Sequence, residues 1–280
     1  MIARIRSKPA GDGTPRPRRL RARHVASGSL ALALAYALLA YGLLPWAWTH
    51  HEHQPGLRSR PMTTATAQAI PGDPLNVGLV GTREEVVRAM AGAGWFAADP
   101  LTWRTSLEIA GSVLLDRPYR AAPVSALFYE GRREDLAFEK PAGTSPDRRH
   151  HVRFWSVLET GAEGRPVWLG AATFDRGVGL SHFTGAITHH IAPDVDAERD
   201  LLAADLGAAG FVERTYTVSG VGPTLFGRNG EGDRYRTDGE ILLAVLVGDG
   251  QARIAMPDHR PAPVLVGVKD RAFRMLRPGP

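Results

Sequence analysis

RRHHVRFWSVLETGAEGRPVWLGAATFD, residues 148–175, decides the fold class. Residues 151–158 and 167–174 are rich in branched and aromatic types, and a Gly- and Pro-bearing segment separates them, which is the pattern of two strands and a turn. Alternation along a strand puts His151, Arg153 and Trp155 on one face and His150, Val152 and Phe154 on the other. The second set reads as the buried face. Working outward, residues 125–129, 136–139, 186–191, 211–218, 241–247 and 263–268 read as further strands, and a short one covers 76–80. Asp238-Gly239 is a hairpin turn signal between Tyr235 and Ile241.

Helices interrupt these strands. Thr82-Arg-Glu-Glu85 is a capping box, followed by Val86, Val87, Met90 and Ala93 at helical spacing and by Gly94 as a stop. A second helix is expected over 107–115. A third starts after Pro193, where Asp194, Asp196 and Glu198 precede Leu201, Leu202 and Leu206. The segments 86–96 and 202–212 resemble each other, each a helix closing on glycine before an extended run, as a duplicated unit or any amphipathic helix feeding a strand does. The expectation is an α+β domain: a mixed, largely antiparallel sheet with two or three packed helices, preceded by one transmembrane helix.

The chain has 280 residues, 44% of them hydrophobic, and no Cys, which excludes disulfides, thiolate metal sites and thiol nucleophiles. Its charge is uneven. Residues 1–24 hold eight Arg and Lys against one Asp, leaving 26 basic and 28 acidic residues elsewhere. The body therefore has no basic excess, and no nucleic acid is expected as a partner. Residues 25–49 are uncharged, carry LALALAYALLAYGLL at 30–44, and end on Trp46 and Trp48. That length and aromatic end suit a retained single span in the lipid bilayer better than a cleaved signal peptide or a buried helix. The positive-inside rule puts residues 1–24 in the cytoplasm as a basic tail and the remainder on the far side. Residues 50–74 read as a polar linker bearing His50, His51 and His53, 75–270 as the globular domain, and 271–280 as a tail.

Two His-His pairs stand out. His151 beside Arg153 is a combination that holds a phosphate or carboxylate, and a solvated strand face is the bland alternative. His189 and His190 precede the acidic run Asp194, Asp196, Glu198 and Asp200, whose simpler role is capping the next helix. Adjacent histidines in a strand point opposite ways, so only one of each pair can join a given site. The candidate set is His151 and His190 as ligands of a divalent metal, Asp175 as ligand or base, and Arg153 as anion clamp. Buried, hydrogen-bonded structural histidines are the competing reading. The chain contains no G-x-S-x-G, Walker A or H-E-x-x-H motif, and the Glu and Asp of the Gly-rich stretch 227–233 argue against a phosphate cradle there.

The ordered segments WFAADPLTWRTSLEIAGSVLLDRPYRAAPVSALFYEGRREDLAFEK, RRHHVRFW, LGAATFDRGVGLS, THHIAPDVDAERD and TDGE resemble the LssY C-terminal domain family of bacterial proteins, over roughly residues 71–247. The resemblance implies a domain that accompanies membrane regions in longer relatives, some of them phosphatidic-acid-phosphatase-like, and it implies no catalytic residues. This chain has no phosphatase-like membrane core. The expected function is a membrane-anchored, extracytoplasmic accessory or binding module in the bacterial inner membrane, serving envelope lipid handling or secretion with a membrane or envelope protein partner. The alternative is a metal-assisted hydrolase of phosphate esters working through the His/Asp/Arg cluster.

Overall fold

The structure is a computed structural model that describes residues 18–46, 53–98 except 58, and most of 127–262, with scattered positions up to 275. Within 127–262 the segments 144–147, 184, 186, 220–225, 249–251 and 254–255 lie outside the description, as does the helix expected over 107–115. The chain divides into two compact units, Met1–Trp48 and Thr49–Pro280.

In the first unit, helix α1 (Arg18–Leu38) runs on through a π-helical turn at Leu39–Leu43. The stretch His24–Trp46, 23 residues, is long and apolar enough to cross a membrane, and none of it is buried within the protein. At about 1.5 Å per residue it spans about 34 Å, matched to a hydrocarbon core of about 30 Å. Its exposed Leu30, Leu32, Leu34 and Leu38 distinguish it from the core helix of a soluble domain, in which such residues are buried.

The second unit is a three-layer α+β domain. Among the described residues its main sheet has nine strands: β3 (Val77–Val80), β4 (Phe96–Ala97), β7 (Leu136–Pro141), β8 (Arg149–Leu158), β9 (Val167–Leu180), β10 (Ile187–Ile191), β11 (Val212–Ser219), β14 (Glu240–Leu246) and β15 (Asp258–His259). The order across it is β15-β11-β14-β3-β9-β8-β7-β4, with β10 also on β9. Pairings are antiparallel except β14 with β3 and β11 with β15. A four-stranded sheet, β2-β1-β5-β6, is built from β1 (Thr63–Ala65), β2 (Pro71–Pro74), β5 (Phe128–Tyr129) and β6 (Arg132–Arg133). A separate hairpin joins β12 (Phe226–Arg228) to β13 (Arg234–Arg236).

Two apolar layers flank the main sheet. On one face Val77, Leu79, Val152, Phe154 and Trp168 pack with Val86, Met90, Leu202 and Leu206 of helices α2 (Arg83–Gly92) and α3 (Val195–Ala208). On the other, Trp155, Leu169 and Leu243 pack with Leu57, Met62, Leu75 and Tyr129. The face carrying His151, Arg153 and Trp155 is therefore as buried as its opposite, unlike the expected one-sided strand. Residues expected as a linker over 50–74 supply its cover: Gln54, Leu57, Met62 and Asp73 are buried, and β1 and β2 lie there. These strands are three and four residues long, too short to announce themselves by periodicity.

Local chemistry sets the helix ends. Thr82 and Glu85 form the expected capping box on α2, and the Asp194 carboxylate accepts the Ala197 N–H at 3.3 Å at the start of α3. Both helices end alike, with Trp95 N–H donating to Met90 O and Phe211 N–H to Leu206 O around glycines at positive φ, Gly94 and Gly210. The strands that follow, β4 and β11, go to opposite parts of the sheet. Asp238-Gly239 makes no hairpin, because β13 pairs with β12 and β14 pairs with β11 and β3. Asp196 holds this junction instead, accepting from Thr237 Oγ1 at 2.8 Å and Asp238 N at 2.6 Å. Of the strand expected over 263–268, the described residues Val264, Leu265, Gly267 and Val268 are helical instead, and Val264, Leu265 and Val268 are exposed.

Candidate functional site

Strand β9 is long enough to hold two different neighbours on one edge. Residues 167–170 pair with β3 and residues 175–180 with β10. Between them Asn76 replaces the missing ladder: its Oδ1 accepts Ala172 N–H at 2.9 Å, and its Nδ2 donates to Ala172 O at 3.0 Å and Val195 O at 2.7 Å. Below this break the main sheet, the small sheet and the turn after β12 line a small polar pocket that opens to solvent.

The pocket takes His151 and Arg153 from β8, Thr173 and Asp175 from β9, His189 and Ile191 from β10, Asp73 from β2, and Asn229 to Glu231 from the turn. Register explains the grouping. His151 pairs with Thr173 and Ile191 with Asp175, so these share one face, and His189 shares it with Ile191. An irregularity between His190 and Ile191 preserves that alignment.

His151 Nε2 pairs with Asp175 Oδ2 at 2.8 Å, and His151 Nδ1 is buried without a hydrogen-bond partner. Arg153 Nη1 is 3.7 Å from Asp73 Oδ2, and its Nε is also buried without a partner. Asn229 Nδ2 donates to Asp73 Oδ1 at 3.1 Å. The two carboxyls titrate apart. Burial pushes Asp73 up, against the pull of Arg153. Burial acts the same way on Asp175, but His151 beside it, with His189 and Arg153, overcomes burial and holds Asp175 below its ordinary value.

Of the residues singled out in the sequence, His151, Asp175 and Arg153 thus come together, and His190 goes elsewhere. It sits beside Asp233, Nδ1 to Oδ1 at 2.9 Å, with the His182 ring 5.7 Å away centre to centre. His190 is therefore not gathered with His151 and Asp175 as the candidate set requires: among the described residues, the group of His and carboxylate ligand atoms within 4.8 Å of one another is His182, His190 and Asp233. The acidic run after β10 does structural work. Asp194 caps α3, Asp196 pins the β13–β14 junction, and Glu198 accepts from or donates to His150 Nδ1 at 2.9 Å according to protonation.

Asp73, Asn229 and Asp233 escaped the sequence reading. Asp73 stands in the stretch 50–74 that reads as a linker, and Asn229 and Asp233 stand in a Gly-rich loop, which reads as a flexible one. The available signal was a lone polar residue next to branched strand residues at 75–80, which is weak.

No curated protein and no solved structure matches this chain. The family model described as LssY C-terminus matches residues 54–241, which takes in β1 to β13 with α2 and α3. Residues 54–74, expected to be linker, thus fall inside the matched region, and with more than half its length covered the chain belongs to the LssY C-terminus family.

Proposed function

We propose that this chain is a membrane-tethered, extracytoplasmic binding module, and that its pocket receives a phosphate- or carboxylate-bearing group of an envelope molecule such as a phospholipid headgroup. One observation carries the reading: His151 Nδ1 and Arg153 Nε are buried at the pocket with no hydrogen-bond partner, while His151 Nε2 faces the Asp175 carboxylate at 2.8 Å. Leaving such groups unpaired costs about 1–3 kcal/mol each, so a site that keeps them is disposed toward an acceptor from outside. Arg153 supplies fixed positive charge, Thr173 a neutral hydroxyl, and the raised Asp73 reduces repulsion of an anion. The Asp175 carboxylate beside His151, held below its ordinary value, suits a ligand that also carries a positive group, as a zwitterionic headgroup does.

Calorimetric titration of the full chain in detergent with inorganic phosphate, phosphoethanolamine and glycerol phosphate tests this. Binding should weaken at least about tenfold in His151→Gln and Arg153→Met, a loss of about 1.4 kcal/mol or more. Heats absent for all three probes, or equal affinities in the variants, would sink the reading. Uptake of inorganic phosphate alone would point to a free ion as ligand. The membrane side has its own check. The chain has no Cys, so Met256→Cys at a 92% exposed position gives a single label. A membrane-impermeant maleimide should react with it in spheroplasts of the expressing cell, as the basic N-terminal tail dictates.

A further inference from the structure

The geometry points to a second site, on the other side of β10: His182, His190 and Asp233 bind a divalent d-block cation such as Zn²⁺, leaving one coordination position open. Their ligand atoms lie within 4.8 Å of one another. Tetrahedral bonds of about 2.0–2.1 Å place neighbouring ligand atoms roughly 3.4 Å apart, so the cluster closes by a small movement. The pair that has least freedom is already near that spacing, His190 Nδ1 and Asp233 Oδ1 at 2.9 Å. The exposed His182 is the group left to swing.

The surroundings are arranged as an outer shell. Asp233 is 4% exposed, and its second oxygen accepts the Ile191 N–H at 2.9 Å, which turns the first oxygen toward His190. The Asp233 N–H donates to Asn229 Oδ1 at 2.9 Å, and the His182 N–H to Glu231 O at 3.0 Å, so one turn fixes two of the three ligands. Space is made by absent side chains. A Cβ on Gly179 would collide with the His190 ring, and one on Gly232 would meet His182 Cβ at 2.6 Å. Arg176 Nη2 stands 3.8 Å from Asp233 Oδ1, the cationic neighbour that offsets the carboxylate without a metal; its side chain is largely exposed and is free to leave when a cation arrives. Two His and one carboxylate match zinc's ligand preferences, and three protein ligands are the number that leaves a water or an anionic oxygen in the fourth place.

This inference stands apart from the phosphate pocket, since it reads cation uptake by different side chains. The test is titration of the full, chelator-stripped chain in detergent with Zn²⁺ by calorimetry and with Co²⁺ by visible absorption. His50, His51 and His53 offer an independent cation trap, so the reading is the difference between chains. The parent should take up one equivalent more than His182→Ala and His190→Ala, or bind it more weakly in those variants by more than the about 10–100-fold that an outer-shell change costs. Its Co²⁺ complex should show the intense bands of low coordination number, lost in both variants. Asp233→Asn, which keeps an acceptor for Ile191 N–H, should lose the same equivalent, and far-ultraviolet dichroism confirms each fold. Equal stoichiometry and affinity in the parent and in His182→Ala, whose exposed side chain is not needed for folding, would overturn the proposal; so would a parent that takes up no zinc.

Discussion

The two faces of β8 use the same residue types to opposite ends. On the helix face His150 meets Glu198, with Val152 and Phe154 beyond it in a closed apolar layer. On the other face His151 and Arg153 keep buried nitrogens unpartnered before Trp155 and Val157 resume the core. The backbone between the two sets is one strand with one register, so the difference comes from what covers each face. A helix of fourteen residues brings Glu198 into contact with its histidine. A small sheet of short strands brings Asp73 only to 3.7 Å from Arg153. Burial by itself therefore does not mark a histidine as structural; a satisfied partner does.

The largest expected effect breaks the comparison if it fails. Phe154→Ala opens the helix face where the side chain is fully buried and should cost about 3–5 kcal/mol in urea unfolding of the domain. His151→Gln on the opposite face should cost far less while removing phosphate binding. A destabilisation by His151→Gln equal to that of Phe154→Ala would mean that the pocket face is core like its opposite, and that its open donors serve no ligand.

How much of this was legible follows the same division. The capping box, the helix starts and the alternation of β8 are local, and residues 82–93, 151–158 and 194–206 carry them openly. The meeting of His151 and Asp175 needed only that β8 and β9 be antiparallel neighbours, with His151 opposite Thr173. The rest depends on distant chain. β1 and β2 are too short for a period, and Asp238-Gly239 lost its hairpin because β14 finds better neighbours in β3 and β11. His190 is opposed to His189 by strand geometry, but which of them faces Asp175 is set by an irregularity after His190 that no residue type announces. The Asp233 partner lies 43 residues away in a Gly-rich turn.

A middle-sized effect sharpens the satisfied side. Glu198→Ala removes the His150 partner at 2.9 Å while leaving the ring between Trp95 and Phe174. The cost should be about 1 kcal/mol, the net worth of a hydrogen bond to a half-buried ring that keeps some access to water. His150→Leu made together with Glu198→Leu should recover most of it, because replacing both partners by apolar groups removes the penalty. Failure of that recovery would show that the pair contributes more than mutual satisfaction.

The smallest effect is a difference in pH slope, and its sign is what matters. Asp175 sits below its ordinary value of 3.8, held there by His151, His189 and Arg153 against burial. It stabilises the fold above that ordinary value, and the contribution is lost as pH falls through the lowered one. Asp73 sits above 3.8, raised by burial and by Asp175 and Asp233 against Arg153 and Asn229. Its contribution is complete below the ordinary value and is lost as pH rises through the raised one. One titrating group tilts stability by at most about 1.4 kcal/mol per pH unit. Urea unfolding from about pH 3 to pH 8 should then show the advantage of the parent over Asp175→Asn shrinking at the acid end. The parent's standing relative to Asp73→Asn should instead fall as pH rises. Slopes of the same sign would mean that the two carboxyls share one environment, and the pocket would lose the division of charge on which its reception of an anionic group rests.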